Sequence, residues 1–249
     1  MTWPLPASDS ERLALARAYP YAAPGASYLL RGGQAVPLAS LPPDPRRYAG
    51  RHPVIAHGSN RAPEQLRRKF GDAAEIPASR AWLRDYDVVY SAHVSRYGSI
   101  AATLQHTPGT RVEVFVTWLT ETQLAHMHET ELGGEVYVYG RMAGIELDVE
   151  HGPVRRLDQA DAYLSRRGCL AEAGQPLALA AVAAHGRRHV ALTQPQILEL
   201  VRARHHPDRE PDTLILQTIS DAALRRALIA AMADAAMPGS APHFRELPG

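Results

Sequence analysis

Val54-Ile55-Ala56-His57-Gly58-Ser59-Asn60-Arg61-Ala62-Pro63-Glu64-Gln65-Leu66-Arg67-Arg68-Lys69-Phe70 is the stretch that decides how this chain is organised. Val54 to Ala56 is a short apolar strand that stops at a glycine-containing turn. Pro63 pre-sets the backbone of a first helical turn, so a helix is expected over Pro63 to Phe70. Gly58 has no Cβ and lets another group come close to the backbone. Ser59 or Asn60 can cap the helix. Such a turn leaves several N–H groups unpaired and aimed outward, which suits a carboxylate, a phosphate or a developing oxyanion. The same residues also read as a tight turn with an ordinary N-cap.

Outward from this junction the pattern is mostly strand. Tyr86 to Tyr90, Ser99 to Leu104 and Val112 to Leu119 are rich in β-branched and aromatic residues. Gly98 and Pro108-Gly109 mark turns between them. Val136 to Met142 and Ile145 to Val149 follow, with Gly144 as a hinge. Two helices interrupt the set, at Pro63 to Phe70 and Glu121 to Leu132. No regular βαβ alternation appears, so the expected class is α+β, with a small mixed or antiparallel barrel favoured over a Rossmann sheet.

The flanks differ from this centre. Residues 1–50 form a Pro-rich extension, with a short helix expected over Ser8 to Ala18 and prolines at 20, 24, 37, 42, 43 and 45. Proline removes backbone donors and fixes φ, so the segment should wrap the surface rather than enter a central sheet. Residues 51–155 are the expected barrel. Residues 156–249 read as mainly helical and packed on it, with helices at Gln194 to Arg204 and Ser220 to Ala236. Pro238 to Gly249 reads as a loosely held tail.

Composition bounds the function. The chain has 249 residues, 45% hydrophobic and 21% charged, the range of a protein that buries a real core. Its 27 cationic and 26 anionic residues nearly cancel, so no global basic field exists to hold nucleic acid. Every cation except Lys69 is an arginine. Cys169 is the lone cysteine, which excludes an internal disulfide framework and a Cys-based zinc site. No apolar stretch approaches membrane-spanning length, and no secretory signal is read at the N-terminus. A cytoplasmic protein, without nucleic-acid or membrane partners, is the expectation. Lys69 lies on an expected surface helix, so Schiff-base chemistry is poorly supplied.

Thr120-Glu121-Thr122-Gln123 has capping-box spacing. On the helix that follows, Leu124, Met127 and Glu131 share one face. A carboxylate turned into an apolar wall has its charged form disfavoured and its pKa raised, as a proton shuttle near neutral pH requires. Alternatively, Glu131 ends the helix before Gly133-Gly134 and faces water. His126 pairs with Glu129, and His128 with Glu131, at i, i+3. The two histidines lie about 200° apart around the helix and cannot clamp one metal together. Tyr137, Tyr139 and Arg141 alternate along the next strand and share a face, lining either a polar pocket or a solvent surface. No GxGxxG, Walker A, GxSxG or DxDxDG pattern occurs.

The order of these pieces resembles the γ-glutamylcyclotransferase-like family. The residues that carry the resemblance are Val54 to Asn60, Ala81 to Val89, Thr107 to Val114, Leu124 to Glu131, and then Tyr137 and Tyr139. They span residues 52 to 150. The resemblance implies a small mixed β-barrel with a pocket at its mouth and no cofactor. It implies that His57, Gly58, Ser59 and Asn60 hold a γ-glutamyl group, with Tyr137 and Tyr139 beside them. Glu131 would move protons while the substrate's own α-amino group attacks its γ-carbonyl, giving 5-oxoproline and a free amine. The family usually has Tyr where this chain has His57, and often an acidic residue where it has His128. The flanking regions have no counterpart in the minimal family domain. They are expected to cover the barrel mouth, form a homodimer contact or select a larger γ-glutamyl adduct. Two other functions fit the same residues: a non-catalytic barrel that binds a small ligand or partner, and an amide hydrolase using water in the same pocket.

Overall fold

The computed structural model describes residues 4–133 and 136–248; Gly134, at the expected helix end, and Gly249 lie outside the described residues. Helix α1 (Asp9–Arg17) starts in a capping box made by Ser8 and Glu11. Strands β1 (Tyr28–Arg31) and β2 (Gln34–Pro37) form a hairpin. Then come β3 (His52–Ala56), α2 (Pro63–Phe70), β4 (Ile76–Val94) and β5 (Ile100–Leu119). They are followed by α3 (Glu121–Glu131), β6 (Tyr137–Val149) and β7 (Arg156–Ser165).

Five strands close into a barrel. Strand β4 pairs with both β5 and β6, β5 with β3, β3 with β7, and β7 with β6; only β3–β7 is parallel. The α+β barrel expected from the pattern is therefore present. Strand β3 is buried on both faces, which explains its unbroken apolar run. Ile55 packs with Ala81, Leu83, Val116 and Leu147 in one cluster. Val54 and Ala56 point the other way, against Leu66 of α2 and Leu124 and Met127 of α3. Side chains of adjacent strand residues point to opposite faces, so one short strand joins the barrel interior to the helices outside it.

Several expectations need correction. Pro108-Gly109 is not a turn: β5 runs through it, Gly109 adopts φ +84°, and its N–H donates to Asp85 at 2.7 Å. The ladder slips its register there, between Arg84 and Tyr86, so the two residues form a bend inside a long hairpin. The Pro-rich segment does enter the sheet, at its edge, where β1 pairs with β4. The barrel does not stop at 155, because β7 supplies the strand that joins β3 to β6. The tail is held as well, with Phe244–Glu246 pairing to β6.

The C-terminal helices are α4 (Gln194–His205), α5 (Pro211–Ser220) and α6 (Ala222–Asp234). Helix α5 lies between the two helices expected from the sequence, and Asp221 caps α6. An apolar cavity of about 240 Å³ lies among these helices and the β4–β5 hairpin, lined by Val94, Ile100, Leu198, Leu214 and Leu228. It holds none of the candidate residues. Among the described residues, no helix is long and apolar enough to cross a membrane.

Candidate active site

The chain leaves the barrel at the C-terminal end of β3. His57 and Gly58 turn it into a single 3-10 turn, Ser59–Arg61, and Pro63 then opens α2. The turn closes on itself through Arg61 N–H to the Gly58 carbonyl at 3.3 Å and Ala62 N–H to the Ser59 carbonyl at 3.0 Å. No hydrogen bond among the described residues uses the N–H groups of Gly58, Ser59 or Asn60. These N–H groups are therefore left without a hydrogen-bond partner among the described residues.

Glu131 sits at the last position of α3, on the face of buried Leu124 and Met127, with its side chain 15% exposed. Of the two readings of its position, the one turned into the protein holds. Asn60 Nδ2 donates to Glu131 Oε1 at 3.0 Å, and Lys69 Nζ donates to the same oxygen. No hydrogen bond among the described residues reaches Oε2. One oxygen of the carboxylate is anchored and the other is left available.

The expected sign of its pKa is wrong. Burial pushes the carboxyl up, but the Lys69 ammonium, by charge and by hydrogen bond, outweighs it together with Asn60 and His57. The net shift is downward, so Glu131 rests as a carboxylate. The reading of Lys69 as a surface residue was the cause of the error: its side chain is only 10% exposed. Lys69 stands three residues after Leu66 and four after Gln65, both buried on α2, so helical periodicity could have found it.

His57 is buried, at 6% exposure, and its Nε2 lies 3.3 Å from the Ala102 carbonyl. A carbonyl only accepts, so Nε2 carries the proton and Nδ1 is an acceptor; Nδ1 has no partner among the described residues. Burial holds this imidazole down at about 4, hence neutral at pH 7. Tyr137 donates to the same Ala102 carbonyl at 3.4 Å, and burial drives its phenol well above the usual range. Tyr139 is spent elsewhere, donating to Asp161 at 2.6 Å, and Arg141 binds the same carboxylate at 2.8 Å. The shared strand face thus splits between two networks. His128 does not pair with Glu131; its Nδ1 meets the Tyr163 hydroxyl at 2.8 Å. His126 does reach Glu129, at 3.1 Å.

Two further residues belong to the site. Tyr19 comes from the N-terminal segment; its hydroxyl accepts from Ala102 N–H at 3.0 Å and stands over Gly58. A Cβ at position 58 would lie 2.5 Å from that oxygen, so a larger residue there would have to displace the phenol. The group that approaches the Gly58 backbone is thus a phenol of the same chain. Arg61 is buried beside it, with Nη1 3.7 Å from Glu113 and Nε without a hydrogen-bond partner among the described residues. No local pattern announces Tyr19, because Gly58 and Ala102, which its hydroxyl meets, lie 39 and 83 residues away in sequence. Among the described residues, no three His, Cys, Asp or Glu side chains are grouped to hold a metal.

Fold and site define an α+β barrel protein with an ion-paired glutamate beside the turn that leaves β3. Among solved structures, the chain is similar to one described as gamma-glutamyl cyclotransferase, at 19% identity and TM-score 0.37, over 46% of this chain and 66% of that one. It is similar to a human protein described as uncharacterized, at 15% identity and TM-score 0.39, over 67% of this chain and 87% of that one. It is also similar to YkqA from Bacillus subtilis, at 14% identity and TM-score 0.28, over 57% and 44% of the two chains. The chain spans less than two thirds of the first of these. No family model and no curated protein matches its sequence.

Proposed function

We propose that this chain cyclises a γ-glutamyl amide to 5-oxoproline and releases the amine, with Glu131 as the acid/base. The observation that carries this reading is the contact of Asn60 with Glu131 at 3.0 Å. It joins the G-S-N turn to the helix glutamate, the two places the sequence resemblance assigns to substrate holding and proton transfer.

The proton count can be followed through the reaction. The substrate's α-nitrogen starts as an ammonium with three protons and ends as a lactam N–H with one. The leaving nitrogen starts as an amide N–H and ends as an ammonium. Two protons therefore move between them, and Glu131 Oε2 carries them one at a time, starting and finishing as a carboxylate. Its low pKa suits the first step, because the base must be ionised before substrate arrives. The unpaired N–H groups of the turn hold the carbonyl oxygen as it gains charge. Attack within one molecule needs no encounter of two reactants, which removes several kcal/mol of the barrier, on the order of 7 or more in well-oriented cases.

A second reading has its own support: Tyr19 over Gly58 and Lys69 on Glu131 both fill the site from within, as a non-catalytic binding barrel would allow. The deciding experiment offers the protein a panel of γ-glutamyl amines and follows both 5-oxoproline and free glutamate. Release of 5-oxoproline that disappears in Glu131→Gln, with the fold kept by circular dichroism, is the expected result. Glutamate instead would indicate hydrolysis by water. No product from any amide would favour the binding barrel.

A further inference from the structure

The N-terminal segment is not needed to close the barrel, yet it is clamped on both sides of Tyr19. Before it, Ala16 of α1 is buried against Ile215 and Ile219 of α5. After it, the Arg68 guanidinium lies 5.5 Å from the Tyr21 ring centre, and Ser27 binds Glu150 through both N–H and hydroxyl at 2.8 and 2.7 Å. Between these anchors Tyr19 is 8% exposed. A phenol held this firmly at a candidate site calls for an account of its free valence.

That valence is a donor. The Tyr19 oxygen already accepts the Ala102 N–H, and among the described residues nothing accepts its own proton. Burial pushes the phenol far up, so the proton stays on at every physiological pH. The hydroxyl lies over Gly58, the first residue of the turn whose Gly58, Ser59 and Asn60 N–H groups have no hydrogen-bond partner among the described residues. His57, which meets the carbonyl of the same residue, Ala102, through Nε2, keeps Nδ1 as an unpartnered acceptor on a side chain more than nine-tenths buried. A hydroxyl donor and a separate unpartnered acceptor suit a group that carries both an acceptor and a donor, such as an amide, whose oxygen takes the hydroxyl and whose N–H gives to the imidazole.

We infer that Tyr19 contacts the substrate, donating its hydroxyl hydrogen bond to the carbonyl oxygen of the scissile γ-glutamyl amide, with His57 Nδ1 accepting from the amide N–H. The inference rests on the reaction proposed above. When the α-nitrogen bonds to the carbonyl carbon, the C=O π pair moves onto oxygen. Tyr19 stabilises that charge without giving up its proton. The pair returns as the bond to the leaving nitrogen breaks, and the proton on Glu131 passes to that nitrogen. In this arrangement the N-terminal segment is a wall of the site, and it supplies the tyrosine absent from position 57.

Tyr19→Phe in the full chain tests this, because it removes one oxygen and leaves the ring in place. The expected result is a fall of about 100-fold in kcat with KM within threefold, as for loss of an oxyanion donor. Calorimetry with 5-oxoproline, which keeps the amide oxygen and N–H, gives a readout independent of turnover; about tenfold weaker binding is expected in the variant. Wild-type kcat and wild-type 5-oxoproline affinity in Tyr19→Phe would overturn the inference. Faster turnover would overturn it too, making Tyr19 an obstruction. If the wild type forms no 5-oxoproline but binds it in a Tyr19-dependent way, the contact stands and the proposed reaction falls. If it binds none, both fall.

Discussion

Two carboxylates lie within electrostatic reach of the same Tyr163, and they are held in opposite ways. Asp161, 1% exposed, takes the Tyr139 hydroxyl at 2.6 Å and the Arg141 guanidinium at 2.8 and 3.4 Å, so both its oxygens are used. Glu131 receives Asn60 and Lys69 on one oxygen only. Around it His57 Nδ1 and Asn60 Oδ1 have no hydrogen-bond partner among the described residues. A fully satisfied network fixes geometry, whereas a half-used carboxylate among unpaired polar atoms is arranged for something else to bind. The contrast separates a carboxylate that holds two strands from one available for chemistry.

Exchanging the two roles by mutation should break the contrast if it is false. Glu131→Gln keeps an oxygen for Asn60 and Lys69 but cannot carry a proton. It should lower 5-oxoproline release by about 10²- to 10⁴-fold, and it should also lower the urea midpoint, because the Lys69 ammonium is left buried without its counter-charge. Asp161→Ala should cost stability and spare turnover. It strands the Tyr139 hydroxyl and frees Arg141, and should cost about 3 kcal/mol of stability. That is the low end for a broken buried pair, because Arg141 is 42% exposed and can turn to water. Turnover per folded molecule should hold. A variant of Asp161 that kept its stability but lost turnover would place that network in the reaction.

His57 sharpens the comparison through pH. Its folded value of about 4 lies below the ordinary 6.5, so the unfolded chain binds the extra proton first. Stability therefore falls as pH drops from 6.5 towards 4, by about 2–3 kcal/mol over the full window. His57→Gln keeps a donor for the Ala102 carbonyl and removes the titration. Denaturation midpoints measured from pH 7 to pH 4.5 should be flatter in the variant, and parallel curves would mean that His57 is not held neutral.

How much of this was legible from residues alone follows from the range of each interaction. The strand, turn and helix at 54–70 were legible, as was Glu131 on the apolar face of α3, because both follow from local periodicity. The capping box of Thr120 and Gln123 formed as spaced, with bonds of 3.0 and 3.3 Å. Misreadings arose where a distant partner decided the outcome. Pro108-Gly109 bends within β5 instead of turning because Asp85, on the facing strand, satisfies Gly109. Tyr19 enters the site only because the whole extension docks. The spacing left Glu131 either turned inward or facing water; burial alone set the expected pKa of the inward position, and the ammonium 62 residues away reversed its sign.

That reversal yields the smallest effect predicted here and the most specific. Lys69→Met removes the ammonium but keeps a long side chain against Met127, whose sulfur lies 3.5 Å from Lys69 Nζ. With the charge gone, burial is the largest remaining influence on Glu131, and its pKa should rise. A base must be deprotonated to begin the cycle, so the acid limb of the pH profile for kcat/KM should move to higher pH. The variant should therefore lose more activity at pH 5 than at pH 8, and its alkaline rates should approach those of the wild type. A uniform loss at all pH values would instead mean that Lys69 only positions α2 against α3. An unmoved acid limb would mean that the group titrating in catalysis is not Glu131, and the contrast with Asp161 would have to be drawn again.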